Sequence, residues 1–139
     1  MLYALGNAEK LLVVGTGNKV EDYGIGFFTK YGDGGVDLSP IGNLYKSEVR
    51  SLGKHMAILP LLTEAVATDW LHTDGATDED QIGASYDELE WAMVEYDHGR
   101  RAWDYTDRAC TVMEIYTRRH EGNAHKMAMP PVFSFPVPL

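Results

Sequence analysis

The stretch Leu11-Leu12-Val13-Val14-Gly15-Thr16-Gly17-Asn18 decides the fold. Four consecutive apolar residues, without alternation, predict a short strand covered on both faces, as in a parallel sheet packed between helices. The glycine-spaced turn that follows lies where open α/β sheets bind ligands, beyond the carboxyl ends of their strands. Alone, that turn reads more readily as an ordinary strand-to-helix connection. The third glycine of the dinucleotide fingerprint is missing, and the chain contains no Gly-x-x-x-x-Gly-Lys-Ser/Thr phosphate loop.

Working outward, a short helix is predicted over 21–30, weakened by Gly24 and Gly26, and Tyr31 to Gly35 form a loop. A second helix fits 44–56, with Leu44, Val49, Leu52 and Met56 on one face and Gly53 as a flaw. Thr77 ahead of Asp78-Glu79-Asp80 reads as a helix start with acids where the helix dipole favours them. Tyr86, Leu89, Met93 and Tyr96 predict a helix over 86–97. Tyr105, Ala109, Val112 and Tyr116 predict another over 102–119 that ends near Gly122. The tail from Met129 to Pro138 is expected to be extended and on the surface. Only residues 11–14 make a convincing strand, and Met1 falls within an apolar helical pattern (Leu2, Leu5) with no capping residue ahead of it. Both features lead to the expectation of a chain that starts late, with the other strands of its sheet outside it.

The 139 residues suit one domain, with 45% hydrophobic and 24% charged residues, the balance of a soluble globular protein. No run approaches the roughly 18 apolar residues of a membrane helix. The first residues lack a basic leader, so a cytoplasmic protein without membrane contact is expected. Cys110 is the only cysteine, which excludes an intrachain disulfide and a cysteine-based metal site, and it is expected to be buried and inert. The net charge of −9 is uneven: residues 55–99 hold eleven acids and no Lys or Arg, while 1–54 balance six against six. That distribution argues against nucleic-acid binding, which needs clustered cations, but not against a phosphorylated small molecule met by local ones.

Glu21, Lys30, Asp33, Asp37 and Lys46 follow the Thr16 turn through a glycine-rich region. Glycines admit backbone amides to a phosphate, a carboxylate can share Mg2+ with phosphate oxygens, and lysines supply point charges. The same residues also fit a glycine-rich surface loop with incidental charges. His120-Glu121 with His125 fails as a zinc helix, because one residue too many separates the imidazoles, and Gly122 and Asn123 are expected to break the helix there. His125-Lys126 then reads as a surface pair at a helix exit.

Three long segments in register carry a resemblance. They are Leu12 to Asp22, then Gly26-Phe27-Phe28-Thr29-Lys30-Tyr31-Gly32-Asp33-Gly34-Gly35-Val36-Asp37, then Pro40 to Lys46, with Thr77 to Leu89 and Asn123-x-His125-Lys126-Met127 after them. Together they resemble the ammonia-dependent NAD synthetases. The resemblance implies an α/β fold of the adenine-nucleotide alpha-hydrolase-like (Rossmann-like) type, a three-layer sandwich. Residues 1–139 are then a helix-rich carboxyl-terminal fragment of that parallel-sheet domain. It also implies ATP-dependent amidation of deamido-NAD with ammonia through an adenylated intermediate, with Mg2+, in a cytoplasmic homodimer. Carried over by position, Thr16, Lys46 and Thr68 contact ATP, Glu21 holds Mg2+, and Lys30, Asp37, His125 and Lys126 hold deamido-NAD. The family's Ser-Gly-Gly-x-Asp-Ser pyrophosphate loop and a substrate Arg belong upstream and are not found here. Ala67 stands where the family usually shows proline, and Trp70 where a small residue is common. The alternative expectation is a non-catalytic nucleotide-binding remnant that needs a missing amino-terminal half for activity.

Overall fold

The computed structural model describes residues 1–68 and 75–135; Trp70 and the Pro136–Pro138 end of the tail lie outside the described residues. Helix α1 (Leu2–Glu9) ends on Lys10 in the left-handed conformation, and Leu11 N–H returns to Gly6 O at 2.8 Å. The chain then extends through residues 11–14. Among the described residues the β-pairing consists of one isolated parallel bridge, Val14 to Leu38. Asp37 N–H donates to Val13 O at 2.9 Å and Gly15 N–H to Leu38 O at 2.7 Å. The strand expected over residues 11–14 is thus reduced, among the described residues, to the single bridge at Val14.

Its burial differs from expectation. Leu11, Leu12 and Val14 are 65%, 70% and 55% exposed. An apolar run on both faces needs cover on both, and the described residues supply one short neighbour.

The helix expected over 21–30 is a single wide turn, Lys19–Gly24, of π geometry. Asn18, 2% exposed, caps it by accepting from Val20 N–H at 3.0 Å and Glu21 N–H at 3.1 Å. It stops because Gly26 takes φ 60°, and a Cβ there would sit 2.5 Å from Asn123 Cβ, so the backbone passes against another helix. Residues 26–45 follow as loops and turns.

Helix α2 (Lys46–His55) matches its predicted span, but its apolar positions Leu52 and Met56 are exposed. Its buried residue is Gly53, where a Cβ would meet Thr63 Cγ2 of α3 (Pro60–Thr63) at 2.8 Å. The apparent flaw is the contact point. Helix α4 (Asp78–Ile82) starts at Thr77, whose hydroxyl accepts from Asp80 N–H. Helix α5 (Tyr86–Asp97) starts at Ser85, whose N–H and hydroxyl both meet Glu88. Tyr86, Leu89 and Met93 bury one face of α5 as their spacing requires.

The last helix departs most from the sequence expectation. Helix α6 spans Asp107–Met127, starting after Tyr105 and running through Gly122 and Asn123. A mid-helix glycine costs about 1 kcal/mol. That cost is outweighed by one stripe of side chains that satisfies loop carbonyls: His120 Nδ1 to Gly24 O, Asn123 Nδ2 to Ile25 O, and Lys126 Nζ to Gly26 O and Phe28 O. Tyr105, outside the helix, packs edge-on against Trp91 and donates to Glu95. Cys110 is half-buried rather than buried. The core gathers between the π turn, α4, α5 and α6, around Val20, Ile25, Tyr86, Leu89, Met113 and Tyr116. Residues 129–135 are exposed and without regular structure, and no described helix is long and apolar enough to cross a membrane.

Candidate functional site

Four of the residues singled out from sequence converge. Thr16, Glu21, Lys46 and Thr68 line one cleft of about 770 Å³, just beyond the carboxyl end of the 11–14 segment. Each is placed by local structure. Thr16 sits in the turn after the bridge, and Glu21 is in the first turn of the π segment, its backbone fixed by the Asn18 cap. Lys46 opens α2.

The polar centre of the cleft is built on Glu21. Lys46 Nζ lies 2.7 Å from Glu21 Oε1, with side chains only 22% and 15% exposed. Tyr86 donates its hydroxyl to the same Oε1 at 2.6 Å, and that hydroxyl lies 3.1 Å from Asp78 Oδ2. The Lys46 ammonium also rests 4.6 Å from the centre of the Tyr86 ring. Burial first, then the charge of Glu21, pushes the Tyr86 phenol far above its ordinary range, so it stays a neutral donor.

Sequence reasoning missed three members of this site. Asp78, which lines the cleft, read only as a helix-start acid; Tyr86 read only as a helix-face residue; Arg50, also on the cleft wall, drew no attention. A tyrosine at an apolar helix position was the available signal, since a buried phenol needs a partner.

The remaining predicted residues do not join this cleft. Lys30 and Lys126 line a second one of about 490 Å³ together with Asp22 and Tyr31. There Lys30 Nζ donates to the carbonyls of His125 and Ala128. His125 contributes that carbonyl, and its side chain is exposed at the end of α6. Asp37 lines neither cleft. Its carboxylate accepts from Val13 N–H at 2.8 Å and from the Tyr3 hydroxyl at 3.3 Å, tying α1 and the bridge together. Asp22, half-buried beside Glu21 and Asp33, has its carboxyl pushed up to about 6, by burial first and those charges second.

A divalent cation entering the cleft would find one free carboxylate oxygen. Both hydrogen bonds to Glu21 converge on Oε1, leaving Oε2 without one among the described residues. No described group of three or more His, Cys, Asp or Glu could hold a cation alone, so any ion in the cleft must complete its shell with phosphate oxygens and water.

The NAD synthase family profile matches residues 1–130. The NH3-dependent NAD+ synthetase of Methanosarcina acetivorans is 39% identical over 137 residues, covering 95% of this chain and 52% of that protein. The Archaeoglobus fulgidus enzyme of the same name is 41% identical over 130 residues, covering 94% and 49%. Among solved structures, NMN synthetase from Francisella tularensis superposes with a TM-score of 0.78 at 30% identity, covering 96% of this chain and 51% of that one. The NH3-dependent NAD synthetase of Campylobacter jejuni, in complex with nitrate, superposes at 0.69 with 24% identity, covering 96% and 49%, a likeness of fold alone. The chain spans about half the length of the relatives it matches. With the profile covering nearly its whole length, the chain belongs to the NAD synthase family.

Proposed function

We propose that residues 1–139 are the carboxyl-terminal part of a single Rossmann-like, three-layer domain whose reaction is the amidation of deamido-NAD by ammonia at the expense of ATP. The observation that carries this reading is the convergence of Thr16, Glu21, Lys46 and Thr68 on one cleft beyond the 11–14 segment. A carboxylate is a poor electrophile for ammonia. In the first step a nicotinate carboxylate oxygen attacks the α-phosphorus of ATP, and the bond to pyrophosphate breaks. In the second, ammonia attacks the acyl carbon, AMP leaves with the bonding electrons, and a proton passes to solvent.

In this reading Thr16, Lys46 and Thr68 contact ATP. Glu21 holds Mg2+ through Oε2, with phosphate oxygens and water completing the shell; the ion supplies charge neutralisation at the phosphates. Lys30 and Lys126 meet deamido-NAD at the second cleft by exchanging backbone carbonyls for anionic oxygens. The Asp37 and His125 assignments rest on the resemblance alone. A cytoplasmic homodimer is the expected setting.

The second reading is a nucleotide-binding unit without turnover of its own, favoured by the exposed apolar face at Leu11, Leu12 and Val14 and by the half-length match. Losing one preorganised donor at such a reaction costs about 100–1,000-fold. The 139-residue chain alone is therefore expected to bind ATP weakly, more tightly with Mg2+ than without, and to form no NAD. The test measures ATP binding with and without MgCl2, and NAD formation by the chain alone and mixed with a polypeptide carrying the Ser-Gly-Gly-x-Asp-Ser loop. Nicotinate mononucleotide replaces deamido-NAD in a parallel arm. Turnover on mixing that Glu21→Ala abolishes supports the synthetase reading; ATP binding without turnover in any arm supports the second. Absence of ATP binding overturns both.

A further inference from the structure

We infer that Tyr86 is a positioning residue of the nucleotide cleft: its hydroxyl pins one oxygen of Glu21 so that the other is presented to the cation. This rests on the proposal that Glu21 meets Mg2+ bound with ATP.

The geometry separates the two oxygens of Glu21. Oε1 receives both the Tyr86 hydroxyl at 2.6 Å and the Lys46 ammonium at 2.7 Å. Two donors on one oxygen fix the rotation of the carboxylate, and the second oxygen keeps its lone pairs for a ligand. Tyr86 is suited to this because it cannot move: its side chain is 1% exposed and packed in the core, and its backbone N–H donates to Glu79 Oε1 at 2.9 Å. Lys46, by contrast, opens α2 at the cleft wall and has an anionic ligand to serve. When a phosphate draws that ammonium away, Tyr86 alone retains Glu21.

The phenol also holds two carboxylates close together. It has one proton, which goes to Glu21 at the shorter distance, while Asp78 Oδ2 stays 3.1 Å from the same oxygen. Glu21, Asp78, Lys46 and Arg50 line the same cleft, and release of Lys46 to a phosphate makes the field around Glu21 more negative. That field favours a cation beside the phosphates. A tyrosine that merely filled the core would need one hydrogen-bond acceptor, and it would have no bearing on metal.

The experiment compares ATP affinity in MgCl2 and in EDTA for wild type, Tyr86→Phe and Glu21→Asp, with thermal melts as the measure of folding. Tyr86→Phe keeps the ring and the core and is expected to lower the Mg2+-dependent gain in affinity about tenfold, the loss in MgCl2 exceeding any change in EDTA. Glu21→Asp keeps the charge but withdraws the carboxylate from Tyr86, and is expected to lose the same gain; it reads the contact from the accepting side should Tyr86→Phe fold poorly. Equal loss in MgCl2 and EDTA, or full Mg2+ dependence in Glu21→Asp, overturns the inference. A wild-type chain that binds ATP equally with and without Mg2+ overturns the assignment of Glu21 to the cation and this inference with it. One that binds no ATP overturns the whole functional reading.

Discussion

Lys30 and Lys126 each hold the backbone beside the other: Lys126 Nζ donates to Gly26 O and Phe28 O, and Lys30 Nζ to His125 O and Ala128 O. The loop is clasped to the end of α6 from both sides, and Lys30 meets carbonyls that the helix end leaves unpaired. Lys126→Met removes two charge-assisted hydrogen bonds and is expected to cost about 1–2 kcal/mol, where a free surface lysine costs almost nothing. Chemical denaturation gives the cost, and hydrogen exchange at residues 26–30 should quicken in the same variant. An unchanged midpoint with unchanged exchange would show that the clasp carries no stability.

Asp22 sets a pH dependence of defined sign. Its carboxyl titrates near 6 in the folded chain, against about 4 when unfolded. Between those values the folded chain binds more protons, so stability falls as pH rises from about 4 to 6 and is then level. Asp22→Asn removes this loss. It is expected to stabilise the chain at pH 7 by about 1 kcal/mol, screening at a half-buried site reducing the effect, and to change nothing below pH 4. Denaturation midpoints across pH 3.5–7.5 provide the check; a benefit that persists at the acid end would assign the effect to something other than titration.

Gly26 is expected to tolerate no side chain. Alanine there must hold φ 60° and press its Cβ to within 2.5 Å of Asn123 Cβ, on the face where Asn123 Nδ2 bonds Ile25 O. Gly26→Ala is expected to cost about 2 kcal/mol or more, by backbone strain together with the clash. Gly122→Ala, with open space around the added methyl, should instead gain a few tenths to about 1 kcal/mol. The two melts measured side by side decide it, and equal effects would mean that α6 does not meet the loop as described.

The sequence made some of this architecture legible and concealed the rest, for identifiable reasons. Helix α5 was readable because capping by Ser85 and Glu88 agrees with the burial of Tyr86, Leu89 and Met93. Helix α6 was misread at its end because Gly122 and Asn123 are poor helix formers locally. The stripe His120, Asn123, Lys126 that overrides them acts on carbonyls about a hundred positions away, which no local pattern reveals. The convergence of Thr16, Glu21, Lys46 and Thr68 agrees with residues carried over by resemblance. Composition and spacing left Glu21 and Lys46 level with a surface loop, favoured an ordinary turn at Thr16, and carried no signal at Thr68. Asp37 shows the opposite case, a carboxylate marked for a ligand that the structure occupies with Val13 N–H and the Tyr3 hydroxyl.

The exposed run at residues 11–14 should govern how the 139-residue chain behaves in solution. Leu11, Leu12 and Val14 present apolar side chains to water beside a backbone whose β-pairing, among the described residues, is the one bridge at Val14, and α1 adds exposed Leu2 and Leu5. An open strand edge with apolar side chains is a template for pairing with other chains. The chain is therefore expected to self-associate at micromolar concentration. Leu12→Lys places a charge in that run at a position already 70% exposed, so little burial is lost and the thermal midpoint should be unchanged within about 0.5 kcal/mol. Association, in contrast, should fall sharply, because pairing would bury the ammonium. Sedimentation velocity over a concentration series separates these effects. A wild-type chain that stays monomeric throughout, or a Leu12→Lys variant that associates as strongly as wild type, would show that the run is covered in solution by other means.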